Sequence, residues 1–128
     1  MTDKPYLLYI EDERPVIELV RLTLQTDRLE VIGVTSAADG LAMMRRRRPE
    51  LLLLDLMMPD LNGWDVYRAM KADPTLADIP VIVITAKVPD TGHLIVPDLP
   101  LVDDYITKPF SVARLIRAVQ NVLASRAE

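Results

Sequence analysis

The sequence contains no cysteine. That excludes a disulfide framework and any zinc or iron–sulfur site built on thiolates, and it suits a reducing cytoplasm. No window approaches the roughly eighteen consecutive apolar residues of a membrane span. The opening residues Met1-Thr2-Asp3-Lys4-Pro5 include an acid and lack the apolar stretch of a secretory leader. A cytoplasmic protein without membrane contact is therefore expected. Positive charge is not in excess: 15 Lys and Arg stand against 19 Asp and Glu, a net charge of −4. That is the wrong sign for a dedicated nucleic-acid binder, so no direct nucleic-acid contact is expected. Internal repeats and low-complexity segments are missing. Histidine occurs once, as His93 among prolines and a glycine, where it reads as a solvated loop residue.

What is present fits one domain, residues 1–128. The chain is 50% hydrophobic and 27% charged, an ordinary globular mix, and its length supports a single core. Tyr6-Leu7-Leu8-Tyr9-Ile10, Leu51-Leu52-Leu53-Leu54 and Val81-Ile82-Val83-Ile84 are continuous apolar runs. They lack the alternation of a half-exposed strand and read as strands buried on both faces of a parallel sheet. Glu30 to Thr35 and Asp104 to Thr107 supply two more strands. Val16, Leu19, Val20, Thr23 and Leu24 share one helical face. Ser36 with Asp39 opens a second helix as a variant capping box. That helix runs through Leu41 and Met44 into Arg45-Arg46-Arg47-Arg48, where Pro49 stops it. Positive charge is favourable at a helix C-terminus, so the arginine run needs no nucleic-acid partner. Trp64 to Ala72 forms a third helix. Ser111 caps a last one, with Val112, Leu115, Ile116, Val119, Val122 and Leu123 on its buried side.

Strands alternating with helices define an α/β domain. For five strands the flavodoxin-like doubly wound order 2-1-3-4-5 is expected, with its site beyond the carboxyl ends of strands 1 and 3. The residues following each run are then informative. Glu11, Asp12 and Glu13 follow strand 1, Asp55 follows strand 3, Thr85 closes strand 4, and Lys108-Pro109 follows strand 5. Clustered carboxylates repel one another and call for a counter-cation. Only oxygen ligands are on offer, which favours a hard ion such as Mg²⁺ (or Mn²⁺). A carboxylate beside a cation, a hydroxyl and an ammonium suits nucleophilic attack on phosphorus.

Four segments in order resemble the receiver domain of two-component response regulators. They are Tyr9-Ile10-Glu11-Asp12-Glu13, Leu54-Asp55-Leu56-Met57-Met58-Pro59-Asp60-Leu61-Asn62-Gly63, Ile84-Thr85-Ala86, and Asp103-Asp104-Tyr105-Ile106-Thr107-Lys108-Pro109-Phe110. The resemblance implies a phosphorylation-activated signalling switch that is not an enzyme beyond its own phosphorylation and slow dephosphorylation. Asp55 would be the phospho-acceptor. Glu11 and Asp12, with Asp55 and the backbone carbonyl of Met57, would hold the metal. Thr85 and Tyr105 would be the switch pair, Lys108 would pair with the phosphoryl group, and Lys108-Pro109 would be a cis peptide. The implied donor is the phosphohistidine of a sensor histidine kinase or a phosphotransfer protein. Downstream, an output domain, a partner protein or a second copy is implied.

One departure from the family concerns residues 87–102, where it places a helix between strands 4 and 5. Pro97 and Pro100 there would each cost about 3 kcal/mol inside a helix. That helix is expected to be missing, shortened or irregular. The main alternative in function is a phosphorylation-independent interaction module of the same fold. A flavodoxin-like cofactor binder is disfavoured because acids, not a phosphate-binding loop, follow strand 1. An aspartate-nucleophile phosphatase is disfavoured because Met57 stands where a second acid is wanted.

Overall fold

The computed structural model describes residues 4–56, 63–86 and 102–127. In chain order these contain β1 (Tyr6–Ile10), α1 (Arg14–Leu24), β2 (Glu30–Val34), α2 (Ala37–Arg46), β3 (Leu51–Leu54), α3 (Gly63–Ala72), β4 (Val81–Thr85), β5 (Asp104–Thr107) and α4 (Val112–Ala127). The strands form one sheet in the order β2-β1-β3-β4-β5, and every pairing is parallel. Of the expected features, Met57 and residues 87–101, with His93, Pro97 and Pro100, lie outside the described residues.

The apolar runs behave as fully buried strands. Every residue of β1, β3 and β4 is buried, and each large aliphatic side chain placed there gains about 1.5–3 kcal/mol over exposure. Alternation along the strands divides the core into two layers. Leu8, Ile10, Leu52, Leu54 and Val83 pack against Met44 of α2 and Val66 and Met70 of α3. Leu7, Leu53, Ile82 and Ile84 pack against Val20 and Leu24 of α1 and Leu115 and Val119 of α4. The sheet is therefore sandwiched between two helical layers, and its strand ends lie at the rim.

Local signals set the helix boundaries. Pro15 occupies the first turn of α1, where its missing N–H costs nothing. Ser36 Oγ accepts the Asp39 N–H at 3.1 Å, and Ser111 Oγ accepts the Arg114 N–H at 3.0 Å. Three details differ from the sequence-based expectation. Leu19 and Val112 are 46% and 44% exposed rather than buried. The buried stripe of α1 is narrower than its apolar sequence, and the buried apolar side chains of α4 begin at Leu115. The helix α2 also ends at Arg46, with Arg47 extended at φ −153° and ψ 115°. Arg48 precedes Pro49, which disfavours helical backbone at Arg48. The Arg47 guanidinium instead lies 4.5 Å over the Tyr6 ring.

Candidate functional site: an acidic cluster at the carboxyl edge of the sheet

Parallel register brings the site together. Ile10 lies opposite Leu54, and the Asp55 N–H donates to the Ile10 carbonyl at 3.1 Å. The chain thus leaves β1 and β3 side by side, placing Glu11 and Asp12 next to Asp55. On the far side, β5 continues past Thr107, and the Lys108 N–H donates to the Thr85 carbonyl at 2.9 Å. Residues up to 97 positions apart in sequence meet at one rim.

Glu11, Asp12 and Asp55 each present a carboxylate oxygen, all within 4.8 Å of one another. Glu11 is fully buried, Asp55 is 3% exposed, and Asp12 is half-buried. Lys108 Nζ donates to Glu11 Oε1 at 2.6 Å and to Asp55 Oδ2 at 3.0 Å, and stands 3.6 Å from Glu13 Oε1. Among the described residues, one ammonium thus faces several carboxylates, two of them buried. Glu11 has the most donors: Tyr9 Oη donates to Oε1 at 2.8 Å and the Glu13 N–H donates to Oε2 at 3.1 Å. Among the described residues Asp12 receives no such bond. Among the described residues Thr85 Oγ1 is buried without a hydrogen-bond partner, a costly state for a hydroxyl unless something else comes to meet it.

The titration behaviour follows from this crowding. Burial pushes the Glu11 carboxyl above its ordinary value, and the Asp55 charge adds to the shift. Hydrogen bonds from Lys108, Tyr9 and the Glu13 N–H pull in the other direction. Burial by itself would lower Lys108, but its bonds to Glu11 and Asp55 and their charges outweigh that and leave the ammonium raised. Burial, then the Glu11 charge, holds the Tyr9 phenol far above its ordinary value. Tyr105 is pushed up to about 12 by burial and by Tyr67.

Neighbouring elements fix the frame. A Cβ on Gly63 would lie 2.4 Å from the Asp55 carbonyl oxygen and 2.7 Å from Leu56 Cα, so only glycine allows α3 to start this close to the acceptor strand. Arg114 of α4 grips Asp104 with both nitrogens, at 2.9 and 3.1 Å, and donates to the Tyr105 carbonyl at 3.0 Å. The Lys108–Pro109 peptide is cis. Tyr105 is half-buried on β5 and packs against the α2/α3 core layer. The structure therefore brings Glu11, Asp12, Asp55 and Lys108 together, with Thr85 buried on the neighbouring strand end. Met57 falls outside the described residues. Two participants were not singled out from sequence. Tyr9 could have been found as a polar aromatic two residues before Glu11, on the same strand face. Arg114 had no such signal, because its partner Asp104 is identified only by the fold.

The donor set fits a hard divalent cation: three carboxylates converge, and every one of these ligands is oxygen. The model for the response regulator receiver domain matches residues 7–120. The chain belongs to that family. This receiver domain is 33% identical over 117 residues to the phosphate regulon transcriptional regulatory protein PhoB of Pseudomonas aeruginosa, covering 91% of this chain and 51% of that protein. It is 32% identical over 119 residues to the DNA-binding response regulator MtrA of Mycobacterium tuberculosis, covering 93% of this chain and 50% of that protein. The chain thus spans about half the length of the curated relatives it matches. Among solved structures, it resembles a sensor protein from Polaromonas sp. JS666 with a TM-score of 0.84 and 27% identity, covering 96% of this chain and 98% of that one. It also resembles the phosphorylated cyanobacterial phytochrome response regulator RcpA, with a TM-score of 0.72 and 28% identity, covering 94% and 91%. Receiver domains are signalling modules of two-component systems, and the sheet order found here is theirs. Among the described residues, no helix is long and apolar enough to cross a membrane.

Proposed function

We propose that the chain is a single receiver domain acting as a cytoplasmic, phosphorylation-activated switch with Asp55 as the acceptor. In the transfer, an Asp55 carboxylate oxygen forms a bond to phosphorus as the bond from phosphorus to the donor imidazole nitrogen breaks. The nitrogen keeps the electron pair and ends protonated, and Asp55 becomes an acyl phosphate. The proposed donor is a phosphohistidine on a sensor kinase or phosphotransfer protein. Glu11, Asp12 and Asp55, with the Met57 carbonyl, would hold Mg²⁺ or Mn²⁺. When bound, that ion would neutralise charge on the phosphoryl oxygens. Lys108, already 3.0 Å from Asp55, would exchange its carboxylate contact for a phosphoryl oxygen.

The observation that supports this reading best is the pairing of an over-acidic, buried acceptor pocket with a buried hydroxyl lacking a partner, Thr85 Oγ1. A phosphoryl oxygen on Asp55 would give Thr85 the acceptor it lacks. Its movement would alter the packing of Tyr105 on the adjacent strand, since Thr85 and Tyr105 occupy paired strands β4 and β5. Hydrolysis of the acyl phosphate would reset the switch slowly, and the chain would have no other catalytic activity. Output would pass through a further domain, a partner protein or a second copy, without direct contact to nucleic acid. The test is intact mass after incubation with acetyl phosphate. A gain of one phosphoryl group that requires Mg²⁺ and is absent in Asp55→Asn is expected. No gain by the wild type under any condition would overturn the proposal.

A further inference from the structure

Tyr9 is the penultimate residue of β1 and is fully buried, among Leu7, Val20, Leu53, Ile84 and Leu115. In such an apolar layer a phenylalanine would fill the same space without needing a partner, whereas a buried phenol must find one. Among the described residues, the hydrogen bond Tyr9 makes is to Glu11 Oε1, at 2.8 Å. The pleat allows this, because residues two apart on a strand face the same side. Glu11 is longer than an aspartate and would sample several rotamers if left free. Three donors hold it: Tyr9 from within β1, Lys108 from beyond β5, and the Glu13 N–H from the loop ahead of α1. Of these, Lys108 is shared with Asp55, and in the proposed reaction it turns toward the phosphoryl group. Tyr9 is anchored by the core and, among the described residues, hydrogen-bonds no second carboxylate.

We propose that the Tyr9 hydroxyl is a positioning group for the cation site, fixing the Glu11 carboxylate against Asp12 and Asp55 so that the acidic cluster receives a divalent cation without first reorganising. This rests on the metal reading given above. Groups that orient ligands through a hydrogen bond are commonly worth ten- to a hundredfold in metal affinity.

The experiment measures Mg²⁺ affinity of the full chain by amide chemical-shift titration, with thermal melting of the metal-free protein alongside. Tyr9→Phe keeps the ring and removes only the hydroxyl. It should weaken Mg²⁺ binding about tenfold and leave metal-free melting nearly unchanged. In a Glu11→Ala background the same substitution should have no further effect, since Tyr9 acts only through Glu11. Unchanged Mg²⁺ affinity in Tyr9→Phe would overturn the proposal. So would an equal weakening in the Glu11→Ala background, which would mark a general packing effect. If the wild type itself binds no Mg²⁺, the metal reading falls and this inference falls with it. Wild-type binding with an unaffected Tyr9→Phe would overturn the Tyr9 role alone.

Discussion

The two rims of the sheet both gather charge, but they treat it in opposite ways. At the amino rim Arg45 meets Asp73 at 3.4 Å, Arg47 meets Glu30 at 4.0 Å and Arg48 meets Asp78 at 2.6 Å. Each of these three cations has its own acid, and solvent reaches the pairs. At the carboxyl rim one ammonium, Lys108, serves Glu11, Glu13 and Asp55, with Asp12 close by. Two of those carboxylates are buried. Charges paired one to one in water change little when perturbed. A buried surplus of one sign is unfavourable until something neutralises it. The amino rim therefore behaves as finished structure, and the carboxyl rim is where the proposed cation and phosphoryl group would bind.

The largest test of that contrast is Lys108→Ala. The substitution takes from Glu11 and Asp55 the ammonium that bridges them, which should cost about 3 kcal/mol of metal-free stability, the low end for a broken buried pair. The low end applies because Glu11 can take up a proton. Urea denaturation in the presence of a chelator measures it, and a loss below about 1 kcal/mol would erase the distinction between the rims. Next in size is the response of the wild type to the ion. Mg²⁺ at about a hundred times its dissociation constant should add about 2.7 kcal/mol, and Asp55→Asn should lose most of this. A gain of the same size in Asp55→Asn would place the ion elsewhere.

A smaller change is expected for Arg48→Ala. The Arg48–Asp78 pair is exposed, so its loss should cost less than about 1 kcal/mol in the same assay, whether or not Mg²⁺ is present. The finest test is the pH behaviour of single carboxyls. Asp73 sits below its ordinary value of 3.8, chiefly through its bond from the Thr75 hydroxyl and then through the Thr75 N–H and Arg45. A depressed carboxyl contributes stability that is intact above the unfolded value and is lost as pH falls through the lower folded one. Glu11 is shifted the other way, above 4.5. Its contribution has the opposite sign, because the folded state binds the proton more tightly and stability falls as pH rises through that window. Carbon-detected titration of the metal-free protein should place Asp73 below 3.8 and Glu11 above 4.5. The reverse order would remove the electrostatic difference between the rims.

Much of this was legible in the residues. The continuous runs Tyr6–Ile10, Leu51–Leu54 and Val81–Ile84 announced strands buried on both faces, because a polar residue there would face a helix. Ser36 and Ser111 marked helix starts, since their hydroxyls can satisfy N–H groups that the helix leaves open. The chemistry at the strand ends could also be read, because a parallel sheet sends every strand's carboxyl end to one rim. What misled was partition at the margins. Leu19 and Val112 carry the apolar signal of core residues, yet whether such a side chain is covered depends on where its helix meets the sheet.

The sequence by itself determined the strand and helix order and the identity of the acids, hydroxyl and lysine at the rim. These follow from short-range physics: periodicity, capping, proline and steric size act within a few residues of chain. Only the tertiary structure decided that Lys108 bridges Glu11 and Asp55, that Thr85 is left without an acceptor, that Tyr9 turns its hydroxyl onto Glu11, and that Arg114 clamps Asp104. Distances of 2.6 to 3.0 Å between groups as far apart in the chain as residues 11 and 108 depend on strand register and helix packing, and a pairing that exists only after burial has no local trace in the chain.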